Sequence, residues 1–362
     1  MVAQVFAMCI LYRAFIMYDS VKLKRFCSAV MQMTGLSAEE SELFAESLVS
    51  ADMRGVASHG VTRLTAYSRR VAERLVDPHA RMTVIGDGGS LLLLDGNNAI
   101  GVTTAYRAMT LCIERAKENG LCFASVRGGN HFGYAAFYTE LAAKNGMIGV
   151  AMSNAPAAMA PTGGKKAIIG TNPLSVAIPA KSHRPFVLDM ATSVVARGKV
   201  TLAKKEGHSI PLGWGVDSDG KPTRDPARVS TVLPFGGVKG YAISIIIEVL
   251  CSCLSGAKDG LHIGSMYDYS GTRQDCGFFV GAIDYARIMP AEVFERKTAQ
   301  LFETIKNSPC AEGCDEIYIP GEIEWRRMDE AREKGISLPA AVVDELQALA
   351  EKYQVPFDCE RD

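Results

Sequence analysis

Between residues 91 and 305, short apolar runs alternate with segments of helical length, and this alternation limits the fold more than any other feature of the chain. Apolar runs at 91–94, 121–126, 148–152, 174–178, 186–188 and 278–283 have strand length. Helical spacing predicts helices over 101–119, 134–144, 194–203 and 291–305, with Gly120 and Gly146 as stops. Such an order points to an α/β layer with partly parallel pairing. The segment 239–254 is apolar on every side and reads as a fully buried helix.

Both ends of the chain read differently. Leu23, Phe26, Cys27 and Val30 mark one helical face that stops at Gly35. Ser37-Ala38-Glu39-Glu40 has the form of a capping box, ahead of Phe44, Leu48 and Ala51. A third helix is expected to start at Ser58, carry Val61, Leu64, Ser68, Val71 and Leu75, and run out at Pro78. Amphipathic helices return at 322–334 and 340–353. The expected organisation is an extension at 1–16, helical parts at 17–78 and 316–362 that pack as one domain, and an α/β domain at 79–315. The first 16 residues are apolar but lack a basic start and a small-residue cleavage site, so they do not read as a signal peptide. Met17 looks like a better beginning, and the preceding segment is expected to lie outside the catalytic fold.

Composition excludes several classes. Lys plus Arg number 39 against 40 Asp plus Glu, so no general attraction to nucleic acid or anionic membrane exists. No apolar run reaches the roughly 18 residues of a membrane span. The ten cysteines are scattered, without metal-ligand spacing, and read as free thiols of a cytoplasmic protein. Cys310 and Cys314 form the more exposed pair, and no metal is expected.

Six stretches carry chemistry. Ser58-His59-Gly60-Val61-Thr62-Arg63 sets His59 and Arg63 four apart, on one face of the expected helix. Arg63 can clamp a carboxylate while His59 passes a proton to the neighbouring oxygen, with the helix start favouring an anion. The same spacing also fits a surface histidine beside an ion-paired arginine. Gly128-Gly129-Asn130-His131-Phe132-Gly133 follows a strand, where His131 is an acid/base, a cofactor contact or a loop histidine. Asp189 ends a strand, either to orient a histidine or as a helix cap. Gly163-Gly164-Lys165-Lys166, Gly170-Thr171-Asn172-Pro173 and Gly236-Gly237-Val238-Lys239-Gly240 suit phosphates. None is a P-loop, and no G-x-G-x-x-G stands between a strand and a helix, so a Rossmann site is not supported. His79, His183, His208 and His262 read as structural or exposed.

Together the stretches ADMRGVASHGVTRL (51–64), GNHFGYAAFY (129–138), GTNPLSVAIP (170–179), FVLDMATSVVARGKV (186–200), the segment 236–256 and YIPGE (318–322) resemble the malate/L-lactate dehydrogenase family of the ureidoglycolate and sulfolactate type. The resemblance runs from about Tyr18 to about Leu346. It implies a non-Rossmann nicotinamide-binding α/β domain with a mixed sheet, a helical domain from both termini, and a homodimer. It implies NAD or NADP as cofactor and a small 2-hydroxy or 2-oxo acid as substrate. His59 would be the acid/base, with Ser58 and Arg63 binding substrate and Asp189 supporting the histidine. His131 would stand beside nicotinamide or substrate as the alternative proton acceptor. Thr171, Asn172, Asp189, Met190, Ala191, Lys239, Gly240, Pro320, Gly321 and Glu322 would line the cofactor. The sequence departs from the family at Ala196-Arg197-Gly198-Lys199-Val200, where a tryptophan commonly precedes the glycine, and at Ala242, where glycine is common. A reductase of cyclic imino acids such as piperideine-2-carboxylate keeps the same His–Arg logic. A nucleotide-binding regulator is the non-enzyme reading.

Overall fold

The computed structural model describes residues 16–181 and 183–361, so the extension expected at 1–16 falls almost wholly outside the described residues. Ten α-helices are present among them: α1 Ser20–Met33, α2 Ala38–Met53, α3 Leu64–Ala72, α4 Gly101–Asn119, α5 Ala136–Lys144, α6 Arg197–Glu206, α7 Val238–Glu248, α8 Ala291–Lys306, α9 Glu322–Lys334 and α10 Ala340–Tyr353. The strands are β1 Met17–Tyr18, β2 Thr83–Asp87, β3 Leu91–Asp95, β4 Leu121–Gly129, β5 Ile148–Ser153, β6 Leu174–Ile178, β7 Phe186–Met190, β8 Gly215–Val216, β9 Thr231–Val232, β10 Cys276–Ile283 and β11 Ile336–Ser337. Contacts divide the chain into two compact units, one of residues up to His79 with those from Glu322 on, the other of Ala80–Gly321.

The first unit is helical. Asp19 caps α1 by accepting the Val21 and Lys22 N–H groups, both at 2.9 Å. Ser37 caps α2 by accepting the Glu40 N–H at 3.3 Å. The α1 face of Leu23, Phe26, Cys27 and Val30 and the α2 residues Phe44, Leu48 and Ala51 are all buried, as their spacing requires. β1 pairs antiparallel with β11, which ties the two ends of the chain together. The Arg54 guanidinium lies 4.4 Å from the centre of the Trp325 ring, joining α2 to α9.

The helix expected from Ser58 is not continuous. Ala57–His59 and Val61–Arg63 form two three-residue turns, and the α-helix begins only at Leu64. Gly60 between them has an extended ψ of −154°, which no helix accommodates. His59 and Arg63 therefore sit on consecutive turns. The favourable helix-start field expected at Ser58 is absent.

The second unit is built on a seven-stranded mixed sheet of order β2-β3-β4-β10-β5-β6-β7. Only β3 and β4 pair parallel, through the right length of crossover in α4; the other pairs are antiparallel. β10 is central and buried along almost its whole length because both sheet faces are covered. Phe278, Val280 and Ala282 pack with Met109, Cys112 and Tyr138 of α4 and α5. Phe279 on the opposite face packs with Ile247 and Cys251. A small satellite core of Met159, Ile169, Val195, Val200, Ile210 and Val232 lies under α6 and the β8–β9 ribbon.

The apolar segment at 239–254 differs from expectation. It forms α7 and a π-helical turn, Val249–Cys253, but only one side is buried. Val238 is 62% exposed and Ile246 55% exposed. Composition registers apolar surface but not what covers it.

Candidate active site

The candidate residues fall into two sets, one in each unit. In the helical unit the two turns at Ala57–Arg63 hold the first set. The Ser58 hydroxyl lies 2.9 Å from His59 Nδ1. Arg63 Nε donates to the Ser58 carbonyl at 2.6 Å, which folds the guanidinium back over the first turn. Burial, and after it the Arg63 charge, pushes the His59 imidazole down to about 4. Burial also lowers Arg63 from its ordinary value. At neutral pH this is a neutral imidazole beside a partly desolvated cation. Ser58 can serve His59 Nδ1 as donor or acceptor, so either tautomer is available.

Asp52, at the end of α2, is a residue the sequence reading missed. Its Oδ2 accepts the Val61 N–H at 2.7 Å. A Cβ on Gly60 would lie 1.9 Å from Asp52 Oδ1, so only glycine fits against this carboxyl group. Burial pushes Asp52 up to about 7, against the lowering effect of the Val61 N–H. The available signal was an acid at the end of a helix whose neighbours Leu48, Val49 and Ala51 are apolar.

In the α/β unit, His131 lies between β4 and α5. Its backbone N–H donates to Gln274 Oε1 at 3.1 Å, and its Nδ1 accepts the Gly133 N–H at 3.3 Å. That acceptor role leaves the proton of the neutral ring on Nε2. Asn130 is held by its amide through Asn98 Oδ1 and the Ala99 carbonyl. Asp189, at the end of β7, accepts the N–H of Ala136, the first residue of α5, at 2.9 Å. It does not cap the helix that follows it in sequence.

Hydrogen bonds gather the remaining residues of this unit around the end of β7. Thr192, next to Asp189-Met190-Ala191, donates its N–H to the Thr171 carbonyl at 3.1 Å and accepts the Phe235 N–H at 3.0 Å. Gly240 N–H donates to the Phe235 carbonyl at 2.9 Å. A Cβ on Gly240 would stand 2.6 Å from the Phe235 oxygen and 2.7 Å from the Thr192 oxygen. Val187 N–H donates to the Pro320 carbonyl at 2.9 Å, seating Pro320-Gly321 beside β7. Glu322 begins α9 in the helical unit.

Asn172 departs from its expected role. It is fully buried, its Oδ1 accepts the Ala155 N–H, and its amide donates to the Ser244 carbonyl and Glu248 Oε2. It builds the loop and has no surface for a direct cofactor contact. Glu248, also missed, accepts Asn154, Asn172 and the Gly260 N–H. Gln274 and Glu248 act through bonds spanning tens to hundreds of residues, which no local pattern signals.

Several features of this region suit a nucleotide. Thr192 Oγ1 and Asn130 Oδ1 are buried without a hydrogen-bond partner among the described residues. Gly236 and Gly237 take φ of +54° and +62° just before α7, beside the exposed Lys239. A helix start preceded by left-handed glycines presents N–H groups and positive field to a phosphate. Elsewhere, His183 pairs with Glu303 at 2.9 Å and His262 with Asp259 at 2.8 Å, while His79 and His208 are exposed. Cys310 and Cys314 are free and exposed. No group of three potential metal-binding side chains occurs among the described residues.

Comparison with known proteins agrees with this architecture. The family model for malate/L-lactate dehydrogenase matches residues 18–347. A malate dehydrogenase of Pyrococcus abyssi is 36% identical over 344 residues, covering 92% of this chain and 94% of that one. A (2R)-3-sulfolactate dehydrogenase (NADP+) of Chromohalobacter salexigens is 36% identical over 328 residues, with 89% and 94% covered. A ureidoglycolate dehydrogenase (NAD+) of Escherichia coli is 32% identical over 304 residues, with 84% and 87% covered. Among solved structures, the sulfolactate dehydrogenase of Methanocaldococcus jannaschii superposes with a TM-score of 0.89 at 35% identity, covering 94% of this chain and 98% of that one. A Δ1-piperideine-2-carboxylate reductase of Pseudomonas syringae gives 0.82 at 28% identity, with 92% and 99% covered. The chain belongs to the malate/L-lactate dehydrogenase family and is a dehydrogenase of that family.

Proposed function

We propose that this protein is an NAD- or NADP-dependent dehydrogenase of a small 2-hydroxy acid. The observation that carries the reading is the turn at 57–63, where a neutral imidazole and a partly desolvated guanidinium are held together. Arg63 binds the carboxylate in paired geometry. His59, neutral, takes the proton of the adjacent hydroxyl during oxidation. A nicotinamide, when bound, supplies or takes up the hydride at the carbon between these two groups. In reduction the substrate carboxylate offsets the Arg63 charge, which removes one of the two influences holding His59 down. Lys239, with the backbone at Gly236–Gly240, would hold cofactor phosphates, and Thr171, Asp189, Met190, Ala191, Pro320, Gly321 and Glu322 would border the rest. His131 would be the alternative proton-transfer residue. The relatives are named for both NAD+ and NADP+, so either cofactor fits the reading.

A cyclic imino acid also presents a carboxylate beside an electrophilic carbon, and the likeness to the piperideine-2-carboxylate reductase favours it as a second substrate class. We further propose a cytoplasmic homodimer. The exposed apolar face of α7 and the π-helical turn after it, with Val238, Ile245, Ile246 and Val249, is surface for a second copy to cover. No helix among the described residues is long and apolar enough to cross a membrane. The deciding experiment is a panel of 2-hydroxy, 2-oxo and cyclic imino acids with each cofactor, followed at the nicotinamide absorbance. Turnover of a 2-hydroxy acid is expected. Turnover of imino acids alone would move the reading to the second class, and silence across the panel would end both.

A further inference from the structure

Asp52 is a half-buried acid that stands outside the set of groups assigned to substrate or cofactor. Its place is specific. The carboxyl group at the end of α2 reaches the corner between the two turns, where Oδ2 accepts the Val61 N–H at 2.7 Å. Its Oδ1 fills the space that any side chain at position 60 would need. Val61 opens the second turn, so this bond fixes the angle at which that turn leaves the first. His59 is one residue before the corner and Arg63 two residues after the bonded N–H. On the far side, Arg63 Nε and the Ser58 carbonyl close the pair of turns.

We propose that Asp52 is a positioning residue: through the Val61 N–H its carboxylate sets where His59 and Arg63 stand relative to each other, and so governs affinity for the hydroxy acid. The substrate class in this statement rests on the dehydrogenase reading above. The acid is also a pH-sensitive element of the turn. The groups that act on it are few. The Cys27 thiol of α1 feels the Asp52 carboxyl group and, more strongly, Cys359 of the C-terminal segment. Burial pushes both thiols up, Cys359 to about 12, so neither carries charge near neutral pH. Among the described residues no cation pairs with Asp52, and burial leaves its carboxyl titrating near 7. An ionised carboxylate is the stronger acceptor for an N–H. The turn is thus held firmly above about pH 7 and loosens as the pH falls below it.

Two variants test this. Asp52→Asn keeps an oxygen for the Val61 N–H but cannot titrate, and Asp52→Ala removes the acceptor. In the wild type, kcat/KM for oxidation is expected to rise through about pH 7, and in Asp52→Asn that limb is expected to vanish while turnover persists. Asp52→Ala is expected to raise KM for the acid about 10–100-fold, with a smaller change in kcat, as a displaced clamp would. The His59 titration, followed by NMR of labelled histidine, reads the turn without substrate. It is expected near 4 in wild type and Asp52→Asn, and climbing toward its ordinary 6.5 in Asp52→Ala. An unchanged KM and an unchanged His59 titration in folded Asp52→Ala would overturn the proposal, as would a limb near pH 7 that survives in Asp52→Asn. Should Asp52→Ala fail to fold, the pH profile of Asp52→Asn decides. Should the wild type oxidise no hydroxy acid, the substrate reading fails, and the His59 titration still decides the role of Asp52.

Discussion

In the helical unit the chemistry rides on titratable side chains partly drawn out of water, whereas in the α/β unit it rides on backbone that has been given room. At Ala57–Arg63 and the adjoining Asp52 the residues of interest are an imidazole, a guanidinium and a carboxyl group, and all three have shifted titrations because all three are partly withdrawn from water. Around the end of β7 the counterparts are Gly240, packed against two carbonyl oxygens, and Thr171 and Thr192, joined by a backbone bond. The difference follows from what each set would hold. A small acid offers only a carboxylate and a hydroxyl, so discrimination has to come from a few strong polar groups. A dinucleotide is long and is bound by many weaker contacts, many of them to main chain. The first region should therefore answer to changes of side-chain identity, and the second to the addition of a single methyl group.

The largest expected effect is at His59. Replacing a positioned acid/base costs about 10²–10⁴-fold in rate, so His59→Ala should depress kcat by that order with cofactor affinity retained in a fluorescence titration. His131→Ala should lose less. Near-normal kcat in His59→Ala with abolished kcat in His131→Ala would transfer the proton to His131 and dissolve the contrast between the regions. Next comes Arg63→Lys, which keeps the charge but loses the fork. With charge-assisted hydrogen bonds worth about 1.5–3 kcal/mol each, KM for the acid should rise about 10–100-fold, with a smaller loss of kcat measurable in the same assay. Gly240→Ala probes the other region. Its Cβ meets two backbone oxygens, and overpacking of this kind costs about 1–3 kcal/mol. Cofactor Kd should rise roughly tenfold, while KM for the acid at saturating cofactor hardly moves.

The smallest effect is a gain. Asp52 has a folded pKa near 7, above its ordinary 3.8, so the folded chain holds this proton more tightly than the unfolded one. Stability from this group is therefore full below about pH 4 and is lost as the pH rises to about 7. Asp52→Asn removes the loss. At pH 8 it should be more stable than wild type by about 1–2 kcal/mol in urea denaturation, and at pH 4 no more stable. A substitution that weakens a functional turn while stabilising the fold would mark Asp52 as kept for function.

Much of the scaffold was legible. The bounds of α4, β6, α9 and α10 follow directly from apolar spacing, and the stop at Gly120 from its left-handed backbone. What was not legible depends on distant partners. The helix expected over 194–203 starts at Arg197, because Val194 N–H instead donates to the Leu233 carbonyl. β2 was overlooked because Val84 and Ile85 on this edge strand face solvent and break the alternation. In the candidate site, the nearness of His59 and Arg63 was visible as a four-residue spacing, yet the reason is two turns hinged at Gly60. That hinge is dictated by Asp52, eight residues earlier in the chain. Asn172 was visible as a polar residue in a promising loop, but only the folded chain shows its amide spent on Ala155, Ser244 and Glu248.

The central claim is that hydride moves between a nicotinamide and the carbon held between His59 and Arg63. The most direct measurement uses a 2-hydroxy acid that the panel identifies, deuterated at C2, with saturating oxidised cofactor, and locates the label by NMR. The account predicts deuterium on the nicotinamide ring, none in water, and loss of that transfer in His59→Ala. Deuterium released to water, or retained at C2 while product forms, would contradict it.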